Sequence, residues 1–329
     1  MVKIAFFDTK NYDKKVFDKY NKKYGYEITY FESMLNDETA KLTKGYDVVC
    51  VFVNDHCDAD AMKVLNENGV KVLALRCAGF NNVDLAHRGN VKVVHVPQYS
   101  PYAVAEHAVA LLLNIDRKLY KAYQRTRKYN FTIDGLLGFD IHGKTVGVIG
   151  TGRIGKCFIN IMKGFGANVL AYDVYQDKEF EKEAGFRYVD LDTIYKKSDI
   201  ISLHCPLTKE TTGMINKESI EKMKKGVYII NCSRGKLINT NDLVAELSTG
   251  KIGGVGLDVY ENEEKFFSRD ASNDYVRDTN LSVLLSMPNV IITSHQAFFT
   301  KEALDNIAID TFDNIKAEIE TGECANELK

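Results

Sequence analysis

Three polar side chains interrupt apolar runs in the second half of the chain: Arg234 after "YIINCS", Glu263 in "DVYENE" and His295 closing "IITSH". Each type suits one part of a single chemistry. A guanidinium can hold a carboxylate through two parallel hydrogen bonds and polarise the adjacent carbonyl. An imidazolium can deliver a proton to that carbonyl oxygen. An imidazole buried at a strand end is costly without a partner, and a carboxylate beside it would keep it charged near neutral pH. Glu263 is the candidate for that partner. Together the set suits hydride transfer to a 2-oxo acid. Taken one at a time, a surface arginine, a loop glutamate and a satisfied core histidine are the alternatives.

Hydride transfer needs a carrier, and "GTGRIG" supplies a place for one. Gly150, Gly152 and Gly155 fall in the GxGxxG pattern around Arg153 and Ile154, after an apolar strand and before a helix-compatible stretch. The first glycine permits the tight turn, the second a close approach to a pyrophosphate, the third close packing of helix on strand. The helix N-terminus offers its unpaired N–H groups to phosphate. Asp173 ends the next apolar run, "NVLAYD", where a carboxylate can accept from the ribose hydroxyls and repel a 2′-phosphate. NAD is therefore expected over NADP. A turn-capping aspartate is the alternative, and Arg153 could still neutralise a phosphate.

The elements that must position these residues alternate along the chain. "KIAFFD", "YEITYF", "DVVCVFV", "VKVLALR" and "VKVVHV" read as strands, as do "TVGVIG", "NVLAYD", "DIISLHC", "GVYIINC", "GGVGLDV" and "NVIITS". Helix-like segments lie between them, which implies α/β architecture with mostly parallel sheets. Ligands then bind beyond the carboxyl ends of the strands, the edge where Arg234, Asp258 and His295 all fall. Residues 100–128, opening Ser-Pro, read as one long connecting helix. The polar stretch "ENEEKFFSRDASNDYVRDTN" reads as a solvated loop able to close over substrate.

Totals bound the rest. A length of 329 residues accommodates two domains. A net charge of -2 provides no field for nucleic acid or an anionic membrane, and no apolar run has the length of a span. The seven cysteines form no CxxC pair and read as buried reduced thiols, and no His/Cys/Asp spacing suggests a metal. The expected setting is cytoplasmic.

Seven segments, "LRCAGFNNVDL", "YSPYAVAEHAVALLL", "GTGRIG", "SLHCPLT", "NCSRGKLI", "GLDVYENE" and "TSHQAFFT", occur in an order and spacing that resemble the D-2-hydroxyacid dehydrogenase family over essentially the whole chain. The resemblance implies two doubly wound parallel-sheet domains, Rossmann-like and flavodoxin-like, with a cleft between them. It implies a discontinuous substrate domain, 1–99 plus 299–329, around an NAD-binding domain at 100–298. Arg234 would bind the substrate carboxylate and carbonyl, His295 would be the acid/base, and Glu263 its partner. Ala78, Gly79 and Tyr99 would hold substrate, while Cys205, Pro206, Thr211, Cys232, Ser233 and Asp258 would line the cofactor. Cys232 stands where threonine is usual, and Arg153 where lysine or histidine is common. Phe52, at a strand end, and Phe298, three residues after His295, could wall a small substrate. The expected reaction is NADH-dependent reduction of pyruvate to D-lactate by a homo-oligomer, a dimer or tetramer. The alternatives are a dehydrogenase for a bulkier D-2-hydroxy acid and a non-catalytic, NAD-sensing corepressor-like protein.

Overall fold

β-Branched and aromatic runs form short strands, and the polar stretches between them form helices that return the chain for the next parallel strand. In the computed structural model, which describes residues 1–267 and 270–329, the first half runs β1 (Lys3–Phe6), α1 (Asn11–Tyr24), β2 (Glu27–Tyr30), β3 (Val48–Val51), α2 (Ala59–Glu67), β4 (Val72–Leu75) and β5 (Lys92–His95). Then follow α3 (Pro101–Asp116), α4 (Leu119–Thr126), β6 (Thr145–Ile149), α5 (Arg153–Gly164), β7 (Asn168–Tyr172), α6 (Lys178–Ala184), β8 (Arg187–Tyr188), α7 (Leu191–Lys197) and β9 (Ile200–Leu203). The chain ends with α8 (Lys217–Lys222), β10 (Val227–Asn231), α9 (Thr240–Ser248), β11 (Ile252–Leu257), α10 (Thr279–Ser286), β12 (Val290–Ile292) and α11 (Lys301–Thr321). Asp58, Asp190, Asn239 and Thr300 each cap a helix by accepting a first-turn N–H, so these starts are written in the sequence.

The chain divides into two units, residues 1–100 with 299–329, and residues 101–298. The first contains a five-stranded sheet in the order β2-β1-β3-β4-β5, all parallel. Helix α11 belongs to this unit, burying Ala303, Ile307, Phe312 and Ile315. Phe312 joins an aromatic cluster with Phe17 and Tyr24 of α1, at ring separations of 5.3 and 4.9 Å. The second unit contains a seven-stranded parallel sheet in the order β12-β11-β10-β9-β6-β7-β8. Its strand order reverses between β6 and β9, which opens a crevice at that point.

Glycines in β11 set how closely α3 lies on this sheet. A Cβ on Gly254 would sit 2.7 Å from Ile115, and one on Gly256 would sit 3.0 Å from both Leu111 and Ile115. The "GGVGL" run thus trades side chains for helix contact.

Three expectations need correction. Residues 100–128 are two helices, because Lys118 adopts a left-handed φ of 49° and breaks the ladder. Asn114 Oδ1 accepts the N–H of Tyr120 across that break at 3.1 Å. The polar stretch after Tyr260 is not simply an open loop: residues 263–265 form a 3₁₀ turn, Phe267 is buried and α10 begins at Thr279. Ser268 and Arg269 of that stretch lie outside the described residues. Five cysteines are buried, whereas Cys232 and Cys324 are partly exposed. Among the described residues no helix is long and apolar enough to cross a membrane.

Candidate active site

The glycine loop sits at the reversal point of the seven-stranded sheet. Gly150 has φ 96°, and a Cβ there would lie 2.5 Å from the Cys205 nitrogen, so this position admits only glycine. A Cβ on Gly155 would lie 2.1 Å from the Gly150 carbonyl oxygen, so α5 can reach the strand only without a side chain there. At Gly152, the N-cap of α5, nothing lies within 4 Å of such a Cβ. That open space fronts the N-terminus of a twelve-residue helix, a cradle that fits a pyrophosphate. Arg153 is exposed and Ile154 half-buried in the first turn. Asp173 Oδ2 accepts from Thr151 N at 2.6 Å and Thr151 Oγ1 at 3.1 Å, and Oδ1 accepts from Tyr175 N at 2.9 Å. The carboxylate therefore ties the end of β7 to the glycine loop while keeping lone pairs free for further donors.

Across the crevice, Ser233 Oγ ties the loop after β10 to that after β9 by donating to the Cys205 carbonyl at 2.7 Å, and within the latter Thr211 Oγ1 donates to the Pro206 carbonyl at 2.8 Å. Burial pushes the Cys205 thiol up to about 11, and that of Cys232 well above its ordinary value, so both act as neutral packing groups. His204 abuts the glycine loop, with its ring against that of Phe158 at 4.8 Å and Ser202 Oγ 2.9 Å from Nε2. Burial without a carboxylate partner pushes its imidazole down to about 3, so it is neutral.

Arg234, Glu263 and His295 follow three strands that are neighbours in the sheet, β10, β11 and β12. His295 Nδ1 donates to Glu263 Oε1 at 2.6 Å, a charge-assisted distance. The other Glu263 oxygen accepts from Tyr260 N at 2.9 Å, which fixes the carboxylate in the turn. With Nδ1 engaged, Nε2 is the nitrogen left to exchange a proton with a bound molecule. His295 itself has a left-handed φ of 52°, held by its N–H donating to the Asp258 carbonyl at 2.7 Å. Arg234 is half-buried, with Nη1 donating to the Ser233 carbonyl at 2.8 Å. The Asn231 amide donates to the Arg234 carbonyl, which shapes the turn.

Asp258 is tied into the turn that carries His295. It is fully buried, and its carboxylate accepts from Thr293 Oγ1 at 2.6 Å, Gln296 N at 2.9 Å and Ala297 N at 2.8 Å. His107 Nε2, on α3, lies 3.3 Å from the same carboxylate. Burial pushes this carboxyl up, but those hydrogen bonds outweigh it and hold it below the usual range. Asp258 thus organises the whole turn that presents His295. Nothing in the sequence marks His107 or Thr293 as part of this turn, nor Gly235, where a Cβ would lie 2.1 Å from the Tyr260 carbonyl carbon. Gly235 lets the Arg234 turn press on the turn that carries Glu263. Its only sequence signal was a glycine after a polar strand end.

Phe298, half-buried, ends the second unit. In the first unit, Phe52 follows β3 and Ala78–Gly79 follow β4, all on the carboxyl edge of the five-stranded sheet. The Ala78 carbonyl lies 2.9 Å from His95 Nδ1, Gly79 O accepts from Cys77 Sγ at 3.2 Å, and Tyr99 O accepts from Asn306 at 2.6 Å.

A seven-stranded, doubly wound sheet with this crevice, and an imidazole–carboxylate pair one strand away from a half-buried arginine, is the architecture of a dinucleotide-dependent oxidoreductase. The chain belongs to the D-isomer-specific 2-hydroxyacid dehydrogenase family, whose NAD binding domain matches residues 109–297. Its cofactor is accordingly NAD. The D-lactate dehydrogenase of Escherichia coli (strain K12) is 47% identical over 330 residues, covering 99% of this chain and 100% of the relative. The apo-structure of D-lactate dehydrogenase from Escherichia coli superposes with a TM-score of 0.90 at 45% identity, covering 100% of both chains. The structure of a D-2-hydroxyisocaproate dehydrogenase superposes at 0.86 with 30% identity, covering 99% of each.

Proposed function

We propose that this chain reduces pyruvate to D-lactate with NADH, reversibly, in the cytoplasm. The observation that carries the reading is the 2.6 Å contact between His295 and Glu263, on a strand end next to the Arg234 turn. NAD bound at the glycine loop supplies or accepts the hydride. Arg234 binds the substrate carboxylate through its fork and polarises the ketone. His295 gives its Nε2 proton to the carbonyl oxygen during reduction and takes it back during oxidation, while Glu263 balances the imidazolium charge. Asp173 accepts from the adenosine ribose and disfavours a 2′-phosphate. Gly150, Gly152 to Gly155, Cys205, Pro206, Thr211, Cys232, Ser233 and Asp258 line the cofactor. The unit formed by 1–100 and 299–329 supplies the Ala78 and Gly79 amides and Tyr99 for the substrate. Phe52 and Phe298 limit the pocket to a methyl-sized group.

A second reading, a bulkier 2-oxo acid, is favoured by the likeness to the hydroxyisocaproate enzyme. NADH oxidation measured with pyruvate, 2-oxobutyrate and 2-oxoisocaproate separates the two. Pyruvate should give the highest kcat/KM, and a preference for 2-oxoisocaproate would replace the lactate assignment while leaving the mechanism.

The active form is proposed to be a homo-oligomer. Residues 119–137 present Tyr123, Tyr129, Phe131, Ile133 and Leu137 to solvent, each at least 61% exposed. A run of large apolar residues this open marks a contact surface, and a second copy of the same unit is its proposed occupant.

A further inference from the structure

The five-stranded sheet has its own reversal point, between β1 and β3, where an open α/β sheet ordinarily receives a ligand. Here the protein fills it with a cation. Arg76, directly after β4, is 1% exposed, and its guanidinium lies over two rings, Phe6 at 4.4 Å and Phe52 at 4.8 Å. Nη2 donates to the Asp8 carbonyl at 2.8 Å, and Nε lies 3.6 Å from Asp13 Oδ1. Its own N–H donates to the Val51 carbonyl at 3.0 Å, on the strand that leads into Phe52. One side chain therefore ties together the loops after β1, β3 and β4.

The surroundings show that this arrangement is built. Asp8, Asp13 and Asp55 are all buried around Arg76, and Asp8 holds a left-handed φ of 47° with Lys10 Nζ 2.7 Å from its carboxylate. Asp55 accepts from Phe52 N at 2.5 Å and from Leu35 N at 2.6 Å, so the Phe52 backbone is clamped while Arg76 faces its ring. Replacing a buried ion cluster with well-packed apolar residues is often neutral or stabilising, so stability alone gives no reason to keep these charges. Positioning a neighbouring loop accounts for keeping them.

We propose that Arg76 is a positioning residue for substrate selectivity: it fixes the Phe52 ring, and with it the size of group the pocket admits. This rests on the reading above that Phe52 walls the substrate. Lysine keeps the charge but lacks the planar face that stacks on two rings, so Arg76→Lys should free the Phe52 ring and relax discrimination.

The test is a double-mutant cycle with Phe52→Ala, reading the ratio of kcat/KM for 2-oxoisocaproate to that for pyruvate, with NADH affinity and a melting curve as controls. Phe52→Ala alone should raise the ratio about tenfold, the scale of hydrophobic pocket discrimination. Arg76→Lys alone should raise it at least threefold with NADH affinity unchanged, and should add less than twofold once Phe52 is alanine. If Phe52→Ala leaves the ratio unchanged, the underlying reading of Phe52 fails and the proposal falls with it. If Phe52→Ala raises the ratio and Arg76→Lys does not, only the Arg76 proposal is overturned. It is also overturned if Arg76→Lys raises the ratio equally in both backgrounds. Should Arg76→Lys not fold, Phe6→Leu, which removes the other ring from the guanidinium, is read by the same criteria.

Discussion

His295 and Glu263 share one proton position, and their roles can be separated by substitution. His295→Ala should lower pyruvate turnover by about 10²- to 10⁴-fold with NADH affinity retained, as stopped-flow binding and steady-state rates would show. Glu263→Gln removes the anion that favours the imidazolium, so the pH above which reduction fails should move downward. An unchanged pH–rate profile would break the pairing. Arg234→Lys keeps charge but loses the fork, so pyruvate KM should rise and kcat fall while NADH affinity holds. Arg234 and His295 were legible because each follows an apolar run at a strand end, and Glu263 because it is an acid in the turn after the next strand. The Asp258 network was not. Nothing in its spacing reveals that its carboxylate faces the next strand's loop, or that His107 meets Thr293 across 186 residues.

At the scale of elements, the glycine loop and its neighbour turns carry the predictions. Gly155→Ala would place a methyl 2.1 Å from the Gly150 oxygen, so α5 must retreat. Overpacking of this kind costs about 1–3 kcal/mol, and NADH affinity measured by fluorescence titration should fall at least about tenfold because the helix N-terminus moves. His204, pushed down to about 3 by burial, binds a proton more readily when the chain unfolds. Its contribution to stability is complete above the unfolded value near 6.5 and declines as pH falls towards 3. Between pH 6.5 and 5 it should lose about 2 kcal/mol, and a neutral His204→Gln variant should show a shallower fall in melting temperature over that range. The strands were legible from β-branched runs and the glycine loop from its flanks. The break at Lys118 was not, since a lysine in an apolar-periodic stretch carries no helix-stop signal, and β8 was missed because two residues at a sheet edge leave no periodicity.

At the scale of the whole molecule, the exposed apolar segment 119–137 makes oligomeric state a direct measurement. Light scattering should give a multiple of the 37.1 kDa chain mass, and the double substitution Phe131→Asp with Leu137→Asp should shift it to one chain. Each charge would have to leave water for an apolar contact, which is unfavourable by several kcal/mol. The sequence pattern spoke to two α/β sheets through alternation of strands and helices. The return of the last helix to the first unit could not be read from periodicity, because α11 is amphipathic in a way that any sheet face would accept.

That return governs how the chain is made. The first unit packs α11 against β4 and β5, yet about 200 residues of the other unit emerge between residue 100 and residue 299. At about 5–20 residues per second, the ribosome delivers the closing helix roughly 10–40 seconds after β5. Throughout that interval α1 lies on its face of the five-stranded sheet without the helix it packs beside, while residues 101–298 already hold everything their own sheet requires. The expected order of maturation during synthesis is the 101–298 unit first and the sheet of the first hundred residues last, which pulse-proteolysis of stalled nascent chains would check.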